Sequence, residues 1–286
     1  MSRISYVNGR YIPHPEAAIH IEDRGYQFAD GVYEICGVFE GRLFDESAHI
    51  DRLERSLGEL RMSMPLGRCA LSVVLREVVR RNRIRDGIVY IQMTRGTAPR
   101  NHLFPPAGTS MSVVVMAWRQ DMEKMEENAA NGVKVKTLPD IRWGRCDIKS
   151  TSLLPNVLAK QAASDAGAYE AWLVDENGFV TEGSSSNAWI VNKQGQLITR
   201  QLNEQILPGI TRGVVLELAG NYGLDVTERA FSVKEAQDAQ EAFMTAATAF
   251  VTPVIQIDDK LIGNGRPGSI ALDLRKAYQK AARATA

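Results

Sequence analysis

Apolar and polar positions alternate along this chain with two different periods, and the switches between them mark out its elements. "SYVNGRYIP" (5–13) sets Asn8-Gly9 between two short β-prone runs, the strongest short-range hairpin signal. "GVYEICGVFEGRLF" (31–44) alternates again around Glu40-Gly41. The period then lengthens: "HIDRLERSLGELRM" (49–62) puts Ile50, Leu53, Leu57 and Leu60 on one helical stripe, and a second amphipathic stretch begins near Leu71. "GIVYIQMTRG" (87–96) and "SMSVVVMAW" (110–118) are near-continuous β-prone runs, which predict strands buried on both faces.

The pattern changes after Trp118. "RQDMEKMEENAANG" (119–132) is polar and helix-prone with few core residues, the composition of a connector between domains. A second unit follows, with a strand at "GVKVKTL" (132–138), a helix from about Pro155 to Ala166 closed by Gly167, and hairpins turning at "DENG" (175–178) and "NKQG" (192–195). "PGITRGVVLELAGNYG" (208–223) reads as a helix entered through Pro208-Gly209, "EAFMTAATAFVTPVIQI" (241–257) as buried strand and turn, and 267–285 as an amphipathic helix. The expectation is a two-domain fold of the α/β (α+β-like) class. Its smaller N-terminal domain would span 1–120, its connector 121–133 and its larger C-terminal domain 134–286.

Composition narrows what such a fold would serve. In 286 residues, 34 basic and 34 acidic side chains cancel, leaving no global field to draw in nucleic acid or an anionic membrane. The basic run "RRNRIR" (80–85) suits a solvated helix end. No apolar run approaches the length that spans a bilayer, and the amino terminus carries no apolar core of signal-peptide length. Cys36, Cys69 and Cys146 form no CxxC pair, which suits a reducing cytoplasm, and the four histidines lack metal-ligand spacing.

The candidate chemistry gathers around Lys149 in "DIKSTSLLPN", followed at once by the small residues Ser150, Thr151 and Ser152. Downstream, "VTEGSSSNAWIV" (180–191) sets Glu182 in an otherwise buried strand, where a carboxylate must meet something positive or protonated: a neighbouring arginine, or a cofactor's protonated ring nitrogen. "LPGITR" places Ile210 and Thr211 at a helix start, where free N–H groups favour a phosphate. The hydroxyl-bearing turn "TAAT" (245–248) could form a second edge of the same cup. An amine, an acid and a phosphate cradle are the parts of a pyridoxal phosphate site.

The order and wording of these pieces resemble the fold-type IV pyridoxal phosphate aminotransferases, over nearly the whole chain from "YVNGRYI" to "FVTPV". The resemblance implies that Lys149 forms the Schiff base with the cofactor and then shuttles protons, that Glu182 holds the pyridine nitrogen, and that Ile210, Thr211 and Arg52 of "HIDRLERS" contact the phosphate. It adds Ser186 and Leu207 to the cofactor-binding set and Thr248 to the phosphate contacts; a shift of one position would put Ala247 there instead. It also implies that the cofactor lies between the two domains.

The loop "TRGTAPRNHLFP" (94–105) sets Arg100 two residues before His102, a guanidinium and an imidazole that suit an α-carboxylate. This loop resembles the carboxylate trap of the D-amino acid aminotransferases within the family, which a tyrosine, here Tyr33, completes across a homodimer interface. The implied reaction is ping-pong transfer of an amino group from a D-amino acid such as D-alanine to a 2-oxo acid such as 2-oxoglutarate. Branched-chain L-amino acid aminotransferases, (R)-amine transaminases and aminodeoxychorismate lyases on the same fold are the alternatives, and a binding protein that kept the fold without the chemistry is a more distant one.

Overall fold

The computed structural model describes residues 3–285. Two compact units divide the chain: residues up to Gln120 with Ile148–Ser152 make the first, and Asp121–Asp147 with Leu153–Ala284 make the second.

The first unit is built from β1 (Ile4–Val7), β2 (Arg10–Pro13), α1 (Arg24–Phe28), β3 (Gly31–Phe39), β4 (Arg42–Leu43), α2 (Glu46–Glu59), α3 (Arg68–Asn82), β5 (Gly87–Thr94) and β6 (Ser112–Arg119). Its six strands run in the order β2-β1-β6-β5-β3-β4, all neighbours antiparallel. The β1–β2 hairpin turns at Asn8 (φ 46°) and Gly9 (φ 91°); both lie in the left-handed region, which Asn and Gly enter at least cost. Val32, Cys36, Val89, Ile91, Met93, Val113 and Val115 point to one face, where Leu53 and Leu57 of α2 and Leu71, Leu75 and Val78 of α3 cover them. The stripe read from the sequence is therefore the core-facing side of α2.

The expectation that β5 and β6 are buried on both faces is corrected by the structure. Their other face, with Tyr33 and Ile35 of β3, carries Tyr90, Gln92, Val114, Met116 and Trp118, all only partly buried. Antiparallel neighbours joined by loops leave one face uncovered when both helices lie on the other. Lys149 lies beside this sheet: the Tyr33 amide donates to the Lys149 carbonyl (3.0 Å), Ser150 bridges Val32, and the Thr151 amide donates to the Gly31 carbonyl (3.0 Å).

The second unit contains α4 (Met122–Asn131), β7 (Val133–Pro139), α5 (Leu154–Asp165), β8 (Glu170–Val174), β9 (Val180–Gly183), β10 (Asn187–Val191), β11 (Leu197–Thr199), α6 (Ile210–Asn221), β12 (Val226–Glu228), α7 (Val233–Gln237), β13 (Glu241–Ala246), β14 (Phe250–Ile257), β15 (Lys260–Leu261) and α8 (Ser269–Thr285). Its mixed sheet runs β12-β11-β10-β13-β14-β7-β8-β9, with β15 on β14. The stretch 121–133 is mostly helix α4, with Met125 and Ala129 buried, and Glu126 pairs with the buried Arg275 of α8 at 2.9 Å. Two buried residues one turn apart suffice to dock a helix whose other positions are polar. No helix among the described residues is long and apolar enough to cross a membrane.

Leu53 is fully buried between α2 and the sheet. Leu53→Ala should cost about 2–5 kcal/mol of stability in denaturant unfolding, since the cavity would form beneath the helix that carries Arg52.

Candidate active site

In the first unit, backbone pairing with β3 fixes Lys149, whose own amide donates to Ser56 Oγ of α2 (3.2 Å). Its ammonium stands 4.3 Å from the centre of the Tyr33 ring. No carboxylate meets this ammonium among the described residues, so an aromatic face is its compensating partner. An amine placed in this way remains available for covalent chemistry, as the tether of an aldehyde cofactor must be. The Tyr33 ring in turn stacks on Tyr90 at 5.7 Å, and Tyr90 donates to Gln92 Oε1 (2.6 Å). Burial, with Tyr33 adding to it, pushes the Tyr90 phenol up to about 12, so it stays a donor at any ordinary pH.

Arg52 lies on the opposite, helix-covered side of the same sheet. Its Nε and Nη2 donate to the two carboxylate oxygens of Glu34 (2.7 and 2.9 Å), and His49 Nδ1 lies 2.8 Å from Glu34 Oε2. Burial alone would raise the Glu34 carboxyl, but the Arg52 charge and the hydrogen bonds from Arg52 and His49 outweigh it and hold Glu34 at about 2. The bidentate fork fixes the direction of the Arg52 guanidinium.

Arg100 and His102 both contact Phe28. The Arg100 guanidinium is 4.8 Å from the ring centre, and the His102 ring is 5.3 Å away. The structure thus brings these two together on one aromatic platform, while the Tyr33 ring is taken up by Tyr90 and Lys149.

In the second unit, Glu182 is buried and fully engaged. Arg142 Nη1 donates to Oε1, and the Asn187 side-chain amide (3.0 Å) and Leu207 N–H (3.1 Å) donate to Oε2. Arg142 is itself held by Asp140 (2.7 Å), and its side chain is only 7% exposed. The arginine neighbour was one of the two sequence expectations for Glu182, and it is present. Burial pushes the Glu182 carboxyl above the ordinary value, against the opposing pull of Arg142 and the Leu207 amide. Because Arg142 cannot give up its proton, the pair remains ionic, and a carboxylate with about four acceptor positions can take one further N–H.

Asn187 ties this acid to the helix start. Its amide also donates to the Leu207 carbonyl (3.0 Å), and a Cβ at Gly209 would run into its Oδ1, so only glycine fits there. Gly209 caps α6 without any side-chain hydrogen bond, which leaves the first-turn amides at Ile210 and Thr211 to other acceptors. Thr211 Oγ1 lies 3.3 Å from the Tyr278 hydroxyl, and the Tyr278 ring packs 5.5 Å from Phe250, just beyond the turn that contains Ala247 and Thr248. That turn follows β13, whose Thr245 is opposite Asn187. The Ser186 hydroxyl is directed to Glu170 (3.3 Å), as are those of Ser184 and Ser185.

Two residues of this arrangement escape a reading of the sequence. Arg142 is forty residues from Glu182, and no local spacing announces the pair. Asn187 has a signal, being a polar residue that opens the apolar run "NAWIV", but its partners have none.

A family profile described as amino-transferase class IV matches residues 31–257. The chain is 43% identical to a D-alanine aminotransferase of Bacillus licheniformis over 272 residues, covering 95% of this chain and 94% of that one. To a D-alanine aminotransferase of Staphylococcus haemolyticus it is 38% identical over 275 residues, 96% of each. Among solved structures, a branched-chain amino acid aminotransferase from the source abbreviated T.th., with pyridoxamine 5′-phosphate, is similar with a TM-score of 0.90 at 30% identity, covering 100% of this chain and 96% of the other.

The Glu34 carboxyl titrates near 2 when folded and near 4.5 otherwise, so its stabilising effect is complete above 4.5 and is lost as the pH falls towards 2. Glu34→Gln should remove about 3 kcal/mol at pH 7 and flatten the loss of stability between those values, as followed by denaturant unfolding across pH.

Proposed function

Because the chain belongs to the class IV aminotransferases, we propose that it transfers the amino group of a D-amino acid such as D-alanine to a 2-oxo acid such as 2-oxoglutarate, in two half-reactions at one site. The observation that carries this reading is the near-full-length 43% identity to a D-alanine aminotransferase. The fold is shared with branched-chain enzymes, so likeness of shape does not separate the two; the Arg100 and His102 pair on Phe28 favours the D-amino acid reading.

The cofactor is pyridoxal 5′-phosphate. When bound, it supplies an aldehyde that receives the amino group and an electron-withdrawing ring that acidifies the substrate's α-carbon. The residues present suit it: an amine without an acid partner at 149, a buried ionic carboxylate at 182 and an uncapped helix start at 210–211. Lys149 is the covalent tether and, once displaced by the incoming amine, the base that takes the α-proton and returns it. Glu182, kept ionised by Arg142, holds a proton on the ring nitrogen, and Leu207 acts through its N–H on Glu182. Ile210, Thr211, Thr248 and Arg52 bind the phosphate, with Ser186 beside them. Tyr33, Arg100 and His102 hold the substrate carboxylate.

The protein acts as a homodimer in which the Arg100–His102 loop serves the partner's site. The separate settings of Tyr33 and of the loop pair within one chain support this. Cysteines that are all unpaired support a cytoplasmic location.

The visible absorbance of the cofactor in the purified protein should change rapidly on addition of D-alanine and not of L-leucine; the reverse pattern removes the reading. Lys149→Ala should lower turnover by at least about 10²–10⁴-fold while cofactor is still retained through its phosphate, as measured by phosphate release on denaturation. Arg100→Ala should raise the KM for D-alanine by about tenfold to a hundredfold, with a smaller effect on kcat.

A further inference from the structure

We propose that Arg24 is a positioning residue for substrate carboxylate binding, acting through the main chain of the loop that carries Arg100 and His102. This rests on the carboxylate-binding role given to that pair above. The residues between β5 and β6 form no regular strand or helix, and the tip at Arg100–Phe104 is exposed. Buried side chains therefore have to hold it from beneath.

Arg24, at the first position of α1, is 4% exposed. Its Nε donates to Asp30 Oδ2 (2.8 Å), and its Nη1 donates to the carbonyl of Asn101 (2.6 Å), the residue between Arg100 and His102. Its Cζ lies 4.8 Å from the centre of the Phe28 ring, the same ring that Arg100 and His102 contact. Its backbone N–H donates to the Gly96 carbonyl at the start of the loop (2.9 Å). One residue thus grips the loop's root, its tip and the platform beneath both functional side chains.

Asp30 Oδ2 also accepts from Arg95 Nε (2.8 Å), and the Arg95 guanidinium lies 3.8 Å from the Phe104 ring on the far side of the tip. Burial would raise the Asp30 carboxyl, but the two guanidinium groups outweigh it and hold it below its usual value, so the triad stays ionic at working pH. The N-cap below is equally fixed: Asp23 accepts from Gly25 N–H (2.9 Å), Thr94 Oγ1 (2.8 Å) and Ser112 Oγ (2.6 Å).

A buried Arg–Asp pair that served stability alone would need only the Asp30 contact. The second arm, to a carbonyl between two exposed functional residues, is what a planar fork supplies and a single ammonium cannot. Arg24→Lys keeps the charge on Asp30 and gives up the arm to Asn101. In the cofactor-loaded enzyme this change should raise the KM for D-alanine about tenfold, with kcat within about threefold of the parent. The inhibition constant of propionate, which has a carboxylate and no amino group, should rise by the same factor, and the cofactor absorbance should stay unchanged.

A loss of kcat or of melting temperature with KM and the propionate constant unchanged would mark Arg24 as structural only and overturn the proposal. Should Arg24→Lys fail to fold, Phe28→Leu removes the platform and is expected to give the same parallel rise; unchanged constants there would overturn it equally. Arg100→Ala separates the two readings. If it raises both constants and Arg24→Lys raises neither, only this proposal falls; if Arg100→Ala raises neither, the carboxylate reading fails and takes this proposal with it.

Discussion

Glu182 lies out of water with the Arg142 guanidinium on one oxygen and two amide donors on the other, and the second unit is organised around keeping that charge satisfied. Removing a carboxylate from solvent costs several kcal/mol unless charge and hydrogen bonds return it. Each returning group is itself anchored: Arg142 by Asp140, Asn187 by the Leu207 carbonyl, and the Leu207 amide by the tight approach at Gly209. The start of α6, where a phosphate would sit, is therefore tied to the acid by hydrogen bonds rather than by a flexible loop. Acid and phosphate cradle cannot drift apart without breaking a buried bond.

The first unit repeats this logic with different partners. Glu34 takes both arms of Arg52 as well as His49 on the helix-covered face of β3, while the next residue back, Tyr33, turns to the open face and lies under Lys149. The two-residue period of the strand thus separates a closed electrostatic knot from an aromatic surface on which an amine stands without a counter-ion. A lysine in such a place is held by main-chain pairing and a ring instead of a carboxylate, which leaves its nitrogen chemically available.

Much of this is legible in the sequence because it is encoded locally. The Asn8-Gly9 and Glu40-Gly41 turns, the α2 stripe and the helix entered at Pro208-Gly209 all follow from conformational preferences of a few adjacent residues, and they form as read. What is not legible depends on pairing between distant residues. Nothing in "PDIRWGR" says that Arg142 will meet Glu182, and nothing in "DRGYQF" says that Arg24 will reach the carbonyl of Asn101. The open face of the first sheet misleads for a related reason: Val114 and Met116 are apolar, and only the placement of both helices on the other side decides that they stay half-exposed. Lys149 is legible as chemistry but not as part of the first unit, since a five-residue segment joins that unit through main-chain bonds that carry no side-chain signature.

These buried charges also explain why the functional side chains can be so lightly held themselves. Arg100 and His102 are exposed and contact one ring, and Lys149 has no hydrogen bond from its ammonium among the described residues. Groups that must exchange partners during turnover cannot be locked by strong bonds of their own, because each such bond would have to be broken in every cycle. Their positions are set one step away, by Asp30 with Arg24 and Arg95, by the pairing of residues 149–151 with β3, and by Glu182 with Arg142. Rigidity resides in groups that never change protonation or partner, and freedom in those that must.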